Sequence, residues 1–293
     1  MKPVDGMCLF AGYLNYDITI KLNSNFDVGK RINSVINTSV GGMAANAASI
    51  AASLGSNAVL FSSIGDDEIG QYLKFKLEKY KVATSCLDFQ KGLRSPHCII
   101  QVESDGQRTI ISEKIEFDYS NIINFLSERP NDIKIIYLDG YRFFDCDPIL
   151  EISRENRIPV VIDLDGYEGR NIDSEKLSCF DSIILNKSLL RQLTGGNSLE
   201  KNKDYFSRLF SSKVICTCAE DGVELLQNKK VVKIPTSQMK VVDTTGAGDT
   251  FAGAYVHGVA NGLPTVENIE YSSKMASRSV TYGGSLGLLE TKH

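Results

Sequence analysis

Histidine is scarce in this chain: His97, His257 and His293 are the only three in 293 residues. Acid–base catalysis built on histidine and a histidine-rich metal site are therefore set aside, and His257, on a helix face, is expected to be structural. No Cys-x-x-Cys pair occurs. The seven cysteines, at 8, 86, 98, 146, 179, 216 and 218, are odd in number and scattered, with Cys216 and Cys218 one residue apart in an apolar strand pattern. They are expected to be buried thiols of a reducing compartment, which excludes a disulfide frame and a zinc site. The start, Met1-Lys2-Pro3-Val4-Asp5, lacks a basic region followed by an apolar core, and no stretch is apolar for long enough to cross a bilayer. A cytoplasmic chain is the expectation. Neither charge sign dominates, with 32 basic against 36 acidic residues, so there is no electrostatic case for nucleic acid or an anionic membrane. A small-molecule partner fits better. No repeat, low-complexity segment or linker rich in Pro, Gly or Ser divides the sequence, and one domain spanning 1–293 is expected.

What is present is an alternation of short apolar runs with longer helical patterns, the mark of parallel strands joined by crossover helices. It predicts strands at Met7–Phe10, Ala58–Ser62, Ile133–Leu138, Pro159–Ile162, Ser182–Leu185 and Val214–Thr217, with a late pair at Gly222–Leu226 and Lys229–Ile234. Helices are predicted at Met43–Leu54, Ile69–Lys79, Pro148–Asn156, Ser188–Leu193, Asp204–Phe210, Asp249–Asn261 and Val266–Thr281. The fold class is α/β with a mostly parallel sheet. Two polar stretches depart from the alternation. One, Ile18–Ile36, mixes β-formers with asparagines and charges. The other is a hairpin, in which Cys98–Glu103 alternates, Ser104-Asp105-Gly106-Gln107 turns and Arg108–Ser112 returns. Together, as segments of about 14–38 and 95–116, they read as a small β lid over a cleft, the alternative being ordinary surface hairpins.

Residues 243 to 249 read Asp-Thr-Thr-Gly-Ala-Gly-Asp and lead into a small-residue helix start, Ala252-Gly253-Ala254. Gly246 and Gly248 allow close backbone approach to an anion, the helix start turns free N–H groups toward it, and Asp249 stands where a proton can be taken from a nucleophile. The simpler reading is a tight turn capped by Asp243 or Asp249. No Gly-Lys-Ser/Thr ending follows, so this is no Walker loop, and the anion hole works through backbone N–H groups without a lysine. A second constellation, Gly41-Gly42-Met43-Ala44-Ala45-Asn46, opens a helix so rich in alanine that it must pack very close to the sheet. Asn46 offers a donor and an acceptor suited to a polyol's hydroxyls, unless it is merely exposed. Gly12-Tyr13-Leu14-Asn15-Tyr16-Asp17 follows the first strand, which puts Asp17 at a strand's carboxyl end, where open α/β sheets bind ligands.

Gly12–Asp17, Gly41–Asn46, Ser63–Gly70 and Asp243–Asp249 occur in the order and spacing of the ribokinase-like carbohydrate kinases, the PfkB family, which this chain resembles over nearly its whole length. The resemblance implies a ribokinase-like three-layer α/β/α fold with a β lid that often pairs with a second subunit's lid, hence a homodimer. It also implies transfer of the γ-phosphoryl group of ATP to a primary hydroxyl of a sugar or sugar derivative, with Mg²⁺. Asp249 is similar to the general base, and the N–H groups of Gly246, Ala247 and Gly248 to the anion hole. Asn15, Asp17, Gly42, Asn46 and Asp139 match sugar-contacting positions, with a strand-end cap as the alternative for Asp139. Asn186, Thr217, Gly222, Gly248 and Ser273 fall where the family binds nucleotide. Asp243 and Thr245 resemble a K⁺ site.

Two positions depart from the family pattern. Its Asn-x-x-Glu is here Asn186-Lys187-Ser188-Leu189, without the glutamate that helps organise hydrated Mg²⁺, and its Thr-x-Gly is Thr217-Cys218-Ala219. Arg142 follows Asp139 closely, as in the sulfofructose kinase and ketohexokinase branch, which Asp163-Leu164-Asp165-Gly166 also resembles. Its guanidinium either meets an anionic group on the acceptor or faces solvent. A nucleoside kinase of the same family would want an aromatic platform, for which Phe26, Phe117 and Tyr119 are candidates. A sugar-binding regulatory protein that lost turnover would explain Leu189.

Overall fold

The computed structural model describes all residues except 1–5, 23–28, 30, 32, 104–107, 115, 168–171, 210–211 and 291–293. Thirteen strands occur among the described residues: β1 Met7–Ala11, β2 Asn15–Lys21, β3 Val35–Gly41, β4 Asn57–Gly65, β5 Leu87–Gln90, β6 His97–Val102, β7 Arg108–Ser112, β8 Ile133–Asp139, β9 Val160–Asp163, β10 Ser182–Asn186, β11 Lys213–Thr217, β12 Val223–Gln227 and β13 Lys230–Ile234. The helices are α1 Met43–Ser53, α2 Glu68–Lys79, α3 Ser120–Glu128, α4 Asp147–Asn156, α5 Ser174–Leu177, α6 Lys187–Thr194, α7 Leu199–Leu209, α8 Ala247–Ala260, α9 Thr265–Ser279 and α10 Gly287–Glu290.

Nine strands form one sheet in the order β13-β12-β11-β10-β9-β8-β1-β4-β5, parallel except where β12 runs against both β11 and β13. Two apolar clusters cover its faces. One is centred on α1 and α8 with Phe10, Tyr137 and Ile215, the other on Leu9, Ile136, Phe143 and Leu190. Neighbouring strand residues divide between them, Phe10 to one and Leu9 to the other, as period-2 alternation in a doubly covered sheet requires. Four strands, β3-β2-β6-β7, form a second sheet, the lid. Its turn at 104–107 lies outside the described residues, as does the stretch 23–28 with Phe26.

Cross-strand register gives the lid two unlike faces. Asp17, Cys98, Ile100 and Arg108 share one, while Ile18, Ile20, Ile36, Ile99 and Ile111 share the other. The motif at 63–70 braces the lid's root. Asp67 caps α2 by accepting from the Gly70 amide at 2.7 Å, and it accepts from the Ser95 amide at 2.8 Å just ahead of β6. His257 lies buried on α8 with Nδ1 2.9 Å from Ser56 Oγ, a structural role as expected. The cysteines correct the expectation in part: Cys179 is exposed and Cys86 half-buried, while the other five are buried. Both sit at surface-facing positions of a polar context that apolar counting misjudges.

The alanines of α1 let α8 come close enough that a Cβ on Gly253 would stand 2.4 Å from the Ala47 carbonyl oxygen and 3.0 Å from the Ile50 Cβ. Gly253→Ala should therefore cost about 1–3 kcal/mol by overpacking, even against the roughly 1 kcal/mol that alanine gains in a helix interior. The check is the midpoint of urea unfolding, which should fall with an unchanged slope; an unmoved midpoint would show that α1 and α8 can yield.

Candidate active site

The carboxyl ends of β1, β8, β9 and β10 open on one side of the large sheet, and the lid's Asp17 face turns toward them. Asp249 lies in the first turn of α8, which starts after Gly246 in the left-handed region at φ 74°. Side chains longer than glycine have no room at 246, because a Cβ there would sit 2.6 Å from Ser285 backbone atoms. Space around Gly248 is open. The Ala247 amide makes a long bond to the Thr244 carbonyl at 3.3 Å, which leaves Gly246 and Gly248 as the less committed donors of this helix start.

Asn46, one turn into α1, donates Nδ2 to Asp249 Oδ2 at 2.8 Å. It was expected to face a sugar; it orients the candidate base first and keeps a buried, unpartnered Oδ1. Protein enclosure pushes the Asp249 carboxyl up to about 7, the Asn46 hydrogen bond opposes this, and the charges of Asp165, Asp17 and Asp139 add to the rise.

Around it stand further acceptors without partners. Asp17 is buried, with Oδ1 unsatisfied, and burial raises it to about 7 although Cys98 donates to it. Asp139 is wholly buried; its Oδ2 accepts from the Tyr13 amide at 2.7 Å while Oδ1 has no hydrogen bond, and burial raises it to about 6 against the pull of Arg142. Asn15 Oδ1 is likewise buried and unpartnered. These carboxylates fit only because glycines face them: a Cβ on Gly41 would lie 2.0 Å from the Asp17 carboxylate, and one on Gly12 2.0 Å from Asp139 Oδ2. Gly42, a sugar-contacting candidate, caps the start of α1 and backs onto the Tyr13 carbonyl.

Arg142 does not face solvent. It is buried on a short 3₁₀ turn after β8, with Nη1 3.1 Å from Asp145 and Nε 3.9 Å from Asp139. The Phe117 and Tyr13 rings cover it at 4.6 and 5.4 Å. Its charge is thus balanced from within, and one buried N–H, at Nε, remains for a ligand. Phe117 and Tyr119 are spent here, the latter donating to Asp145 at 2.6 Å, so neither is a free stacking platform.

The nucleotide candidates are less gathered. Asn186 caps α6 by accepting from the Leu189 amide at 2.8 Å, and its Nδ2 donates to Asp165 at 3.1 Å. Thr217 ends β11, and Gly222, at φ 88°, turns the chain into β12. Ser273 is buried on α9 and donates to Thr236 at 3.0 Å. Asp243 accepts from the amide and hydroxyl of Thr245 at 2.9 and 2.6 Å. Leu189 is buried in the core cluster that contains Leu190.

Two residues escape the sequence reading. Tyr137 has a buried, unpartnered hydroxyl, raised well above the usual phenol range by its burial first and then by the charges of Asp163, Asp249, Asp139 and Asp165. Its signal was its place two residues before Asp139 in a strand, hence on the same face. Arg108, the other, is treated below. A surface cavity of about 1040 Å³ beside Phe144, Arg154 and Cys179 opens at the amino ends of β9 and β10 and holds none of these groups.

No group of three His, Cys, Asp or Glu among the described residues is placed to hold a metal ion by itself. Mg²⁺ arriving on phosphates needs only one or two protein oxygens. Asp165, oriented by Asn186, fits that need.

Residues 6–292 match the model of the pfkB family carbohydrate kinases. The Dictyostelium discoideum ribokinase is 26% identical over 94% of this chain and 94% of its own length. An ATP-dependent 6-phosphofructokinase of Thermoanaerobacterium thermosaccharolyticum is 24% identical, covering 84% of this chain and 80% of its own. Arabidopsis thaliana ribokinase, solved with ribose and ATP, superposes with a TM-score of 0.83 at 21% identity, over 98% of this chain and 95% of that one. With the family-model match spanning nearly its whole length, the chain belongs to the pfkB family of carbohydrate kinases.

Proposed function

We propose that this chain transfers the γ-phosphoryl group of ATP to a primary hydroxyl of an uncharged sugar or sugar derivative, with Asp249 as general base. The carrying observation is the cluster of buried, unsatisfied acceptors, Asn15 Oδ1, Asp17 Oδ1, Asn46 Oδ1 and Asp139 Oδ1, around one carboxylate at a helix start. Acceptors left dry in a protein are costly, so a ligand rich in donors is what repairs them. A polyol brings one donor and one acceptor per hydroxyl. An anionic acceptor group would meet Asp17, Asp139, Asp163 and Asp165, with Arg142 already balanced by Asp139 and Asp145.

On this reading Asp249 takes the hydroxyl proton on Oδ1, since Oδ2 is held by Asn46. The acceptor oxygen bonds to the γ-phosphorus as the bond to the β–γ bridging oxygen breaks, and ADP leaves. Amides of Gly246 and Gly248 and the α8 dipole stabilise charge on the transferring group. When bound, Mg²⁺ neutralises charge on the β- and γ-phosphates; Asp165 would hold it, and Leu189, buried, has no part.

The lid's exposed isoleucine face supports pairing with a second copy: Ile36, Ile99 and Ile111 are 62%, 37% and 60% exposed on one side of a sheet whose other side faces the cleft.

Three outcomes test these statements. Asp249→Asn should lower kcat by about 10²–10⁴-fold while calorimetry finds the acceptor still bound; turnover near the native rate would remove Asp249 as base. Because Asp249 must be unprotonated to act, kcat/KM for the acceptor should rise with pH around its raised value of about 7. Asn46→Ala removes a bond that favours the charged form and should move that limb to higher pH, whereas Asp17→Asn removes a repelling charge and should move it lower; limbs that stay put would disprove the coupling. Finally, joint Ile36→Lys and Ile111→Lys should convert a dimer to a monomer in sedimentation, and a native chain that is monomeric throughout would rule out lid pairing.

A further inference from the structure

Arg108 opens β7 on the same lid face as Asp17, the face turned to the cleft. Its guanidinium crosses from the lid to the segment leading into the phosphate loop, donating Nη2 to Asp243 Oδ1 at 2.8 Å and to Thr244 Oγ1 at 3.0 Å. The side chains are 26% and 18% exposed, so the pair is better shielded than an ordinary surface ion pair. Asp243 is the hub of that segment. Its Oδ1 also accepts from the Thr245 amide and hydroxyl, at 2.9 and 2.6 Å, and its Oδ2 from the Gly284 amide at 3.0 Å.

A carboxylate offers about four lone-pair sites; here Arg108 and the amide and hydroxyl of Thr245 crowd Oδ1, and the Gly284 amide takes one of the two sites on Oδ2. A hard cation needs oxygen lone pairs, not N–H and O–H groups that already point at them. Asp243 and Thr245, which the resemblance marks for K⁺, do not fit that ion as they stand. Burial works to raise Asp243, but the Thr245 and Gly284 hydrogen bonds and the Arg108 charge hold it below the usual carboxylate range.

We infer that the Arg108 guanidinium replaces the monovalent cation: it supplies the positive charge beside the phosphate loop, from the lid, so that the loop is ordered when the lid covers the cleft. Arg108 is a positioning residue, acting through Asp243 on the amides of Gly246 and Gly248. The idea rests on the phosphoryl-transfer reading above for its consequence in turnover, but nucleotide binding reports on it separately.

The test compares the native chain with Arg108→Ala and Arg108→Lys in KCl and in tetramethylammonium chloride of equal ionic strength. ADP affinity is measured by calorimetry without acceptor, and kcat and KM for ATP with it. The native chain should behave alike in both salts, within about twofold. Arg108→Ala should lose roughly tenfold in ADP affinity in tetramethylammonium, within the usual range of coupling between sites, and recover most of it in KCl, where the freed carboxylate can take the ion. Arg108→Lys keeps the charge without the fork and should fall between. A native chain that binds ADP well only in KCl overturns the inference. So does an Arg108→Ala chain equal to native in both salts, or one whose loss KCl does not restore. If no acceptor is phosphorylated yet ADP binding follows the expected pattern, the turnover reading fails and the role of Arg108 stands.

Discussion

The 2.8 Å hydrogen bond between Asn46 and Asp249 is the contact on which the rest of this architecture depends. It joins the first turns of two helices 203 residues apart in sequence, and it can form only if those helices nearly touch. That closeness is made by side chains that are hardly there: Ala44, Ala45, Ala47, Ala48, Ala51 and Ala52 on α1, and Gly253 on α8, all buried or backing onto backbone. Small residues let backbones approach, close backbones bring the two helix starts into register, and the helix starts carry the carboxylate and its orienting amide. Packing and the placement of Asp249 are therefore one constraint, and a larger side chain anywhere on this seam acts on that carboxylate as well as on the core.

The same economy governs the lid. Its root is fixed to the main body by Asp67, which spans the α2 start and Ser95, and its far end reaches the segment before α8 through Arg108, which donates to Asp243. Between these two anchors the sheet presents Asp17 to the cleft and isoleucines to the outside. An alternating strand pattern with unlike faces is what a sheet needs if one side is to meet a ligand and the other to be covered. The glycines opposite Asp17 and Asp139 complete the arrangement, since each carboxylate occupies the volume a Cβ would take.

Most of the architecture is legible in the sequence because strong periodicity decides it. Each predicted strand of the large sheet is present, with ends shifted by a few residues, and the hairpin of Cys98–Glu103 with Arg108–Ser112 is β6 and β7. Short elements are less legible: β5 has four residues and α3 only nine, although Ile122 and Leu126 mark its buried face, and α7 begins at Leu199, well before the expected Asp204, because its first turn is rich in polar residues. In the site, Asp249, Asp17 and Asp139 could be named from strand ends and motif spacing. What could not be named depends on long-range approach. Asn46 reads as a sugar ligand until α8 is seen beside it, Arg142 reads either as a ligand for an anionic acceptor or as solvent-facing until Phe117 and Tyr13 close over it, and Arg108 is a plain lid residue until Asp243 lies 2.8 Å away. No local period encodes contacts over more than a hundred positions.

The raised carboxylates give the cleft a further property. With nothing bound, Asp17, Asp139 and Asp249 lie in protein, so each holds its proton to higher pH than a carboxylate in water, and the charges of Asp17 and Asp139 raise Asp249 further. On the proposed reading, hydroxyls donating to Asp17 and Asp139 favour the charged forms of those two groups. Their charges then act on Asp249, which becomes harder to deprotonate but a stronger base once it is, and the proton it must accept comes from the same ligand. Asn46 works in the opposite sense, keeping a fraction of Asp249 ionised near neutral pH through the bond to Oδ2. A base in such a balance is weak in the empty cleft and strong beside a bound acceptor. That order suits a phosphoryl donor: a carboxylate whose proton affinity rises only when the acceptor is seated is a poor activator of stray water, and water is the competing acceptor that a sugar-directed site has to refuse.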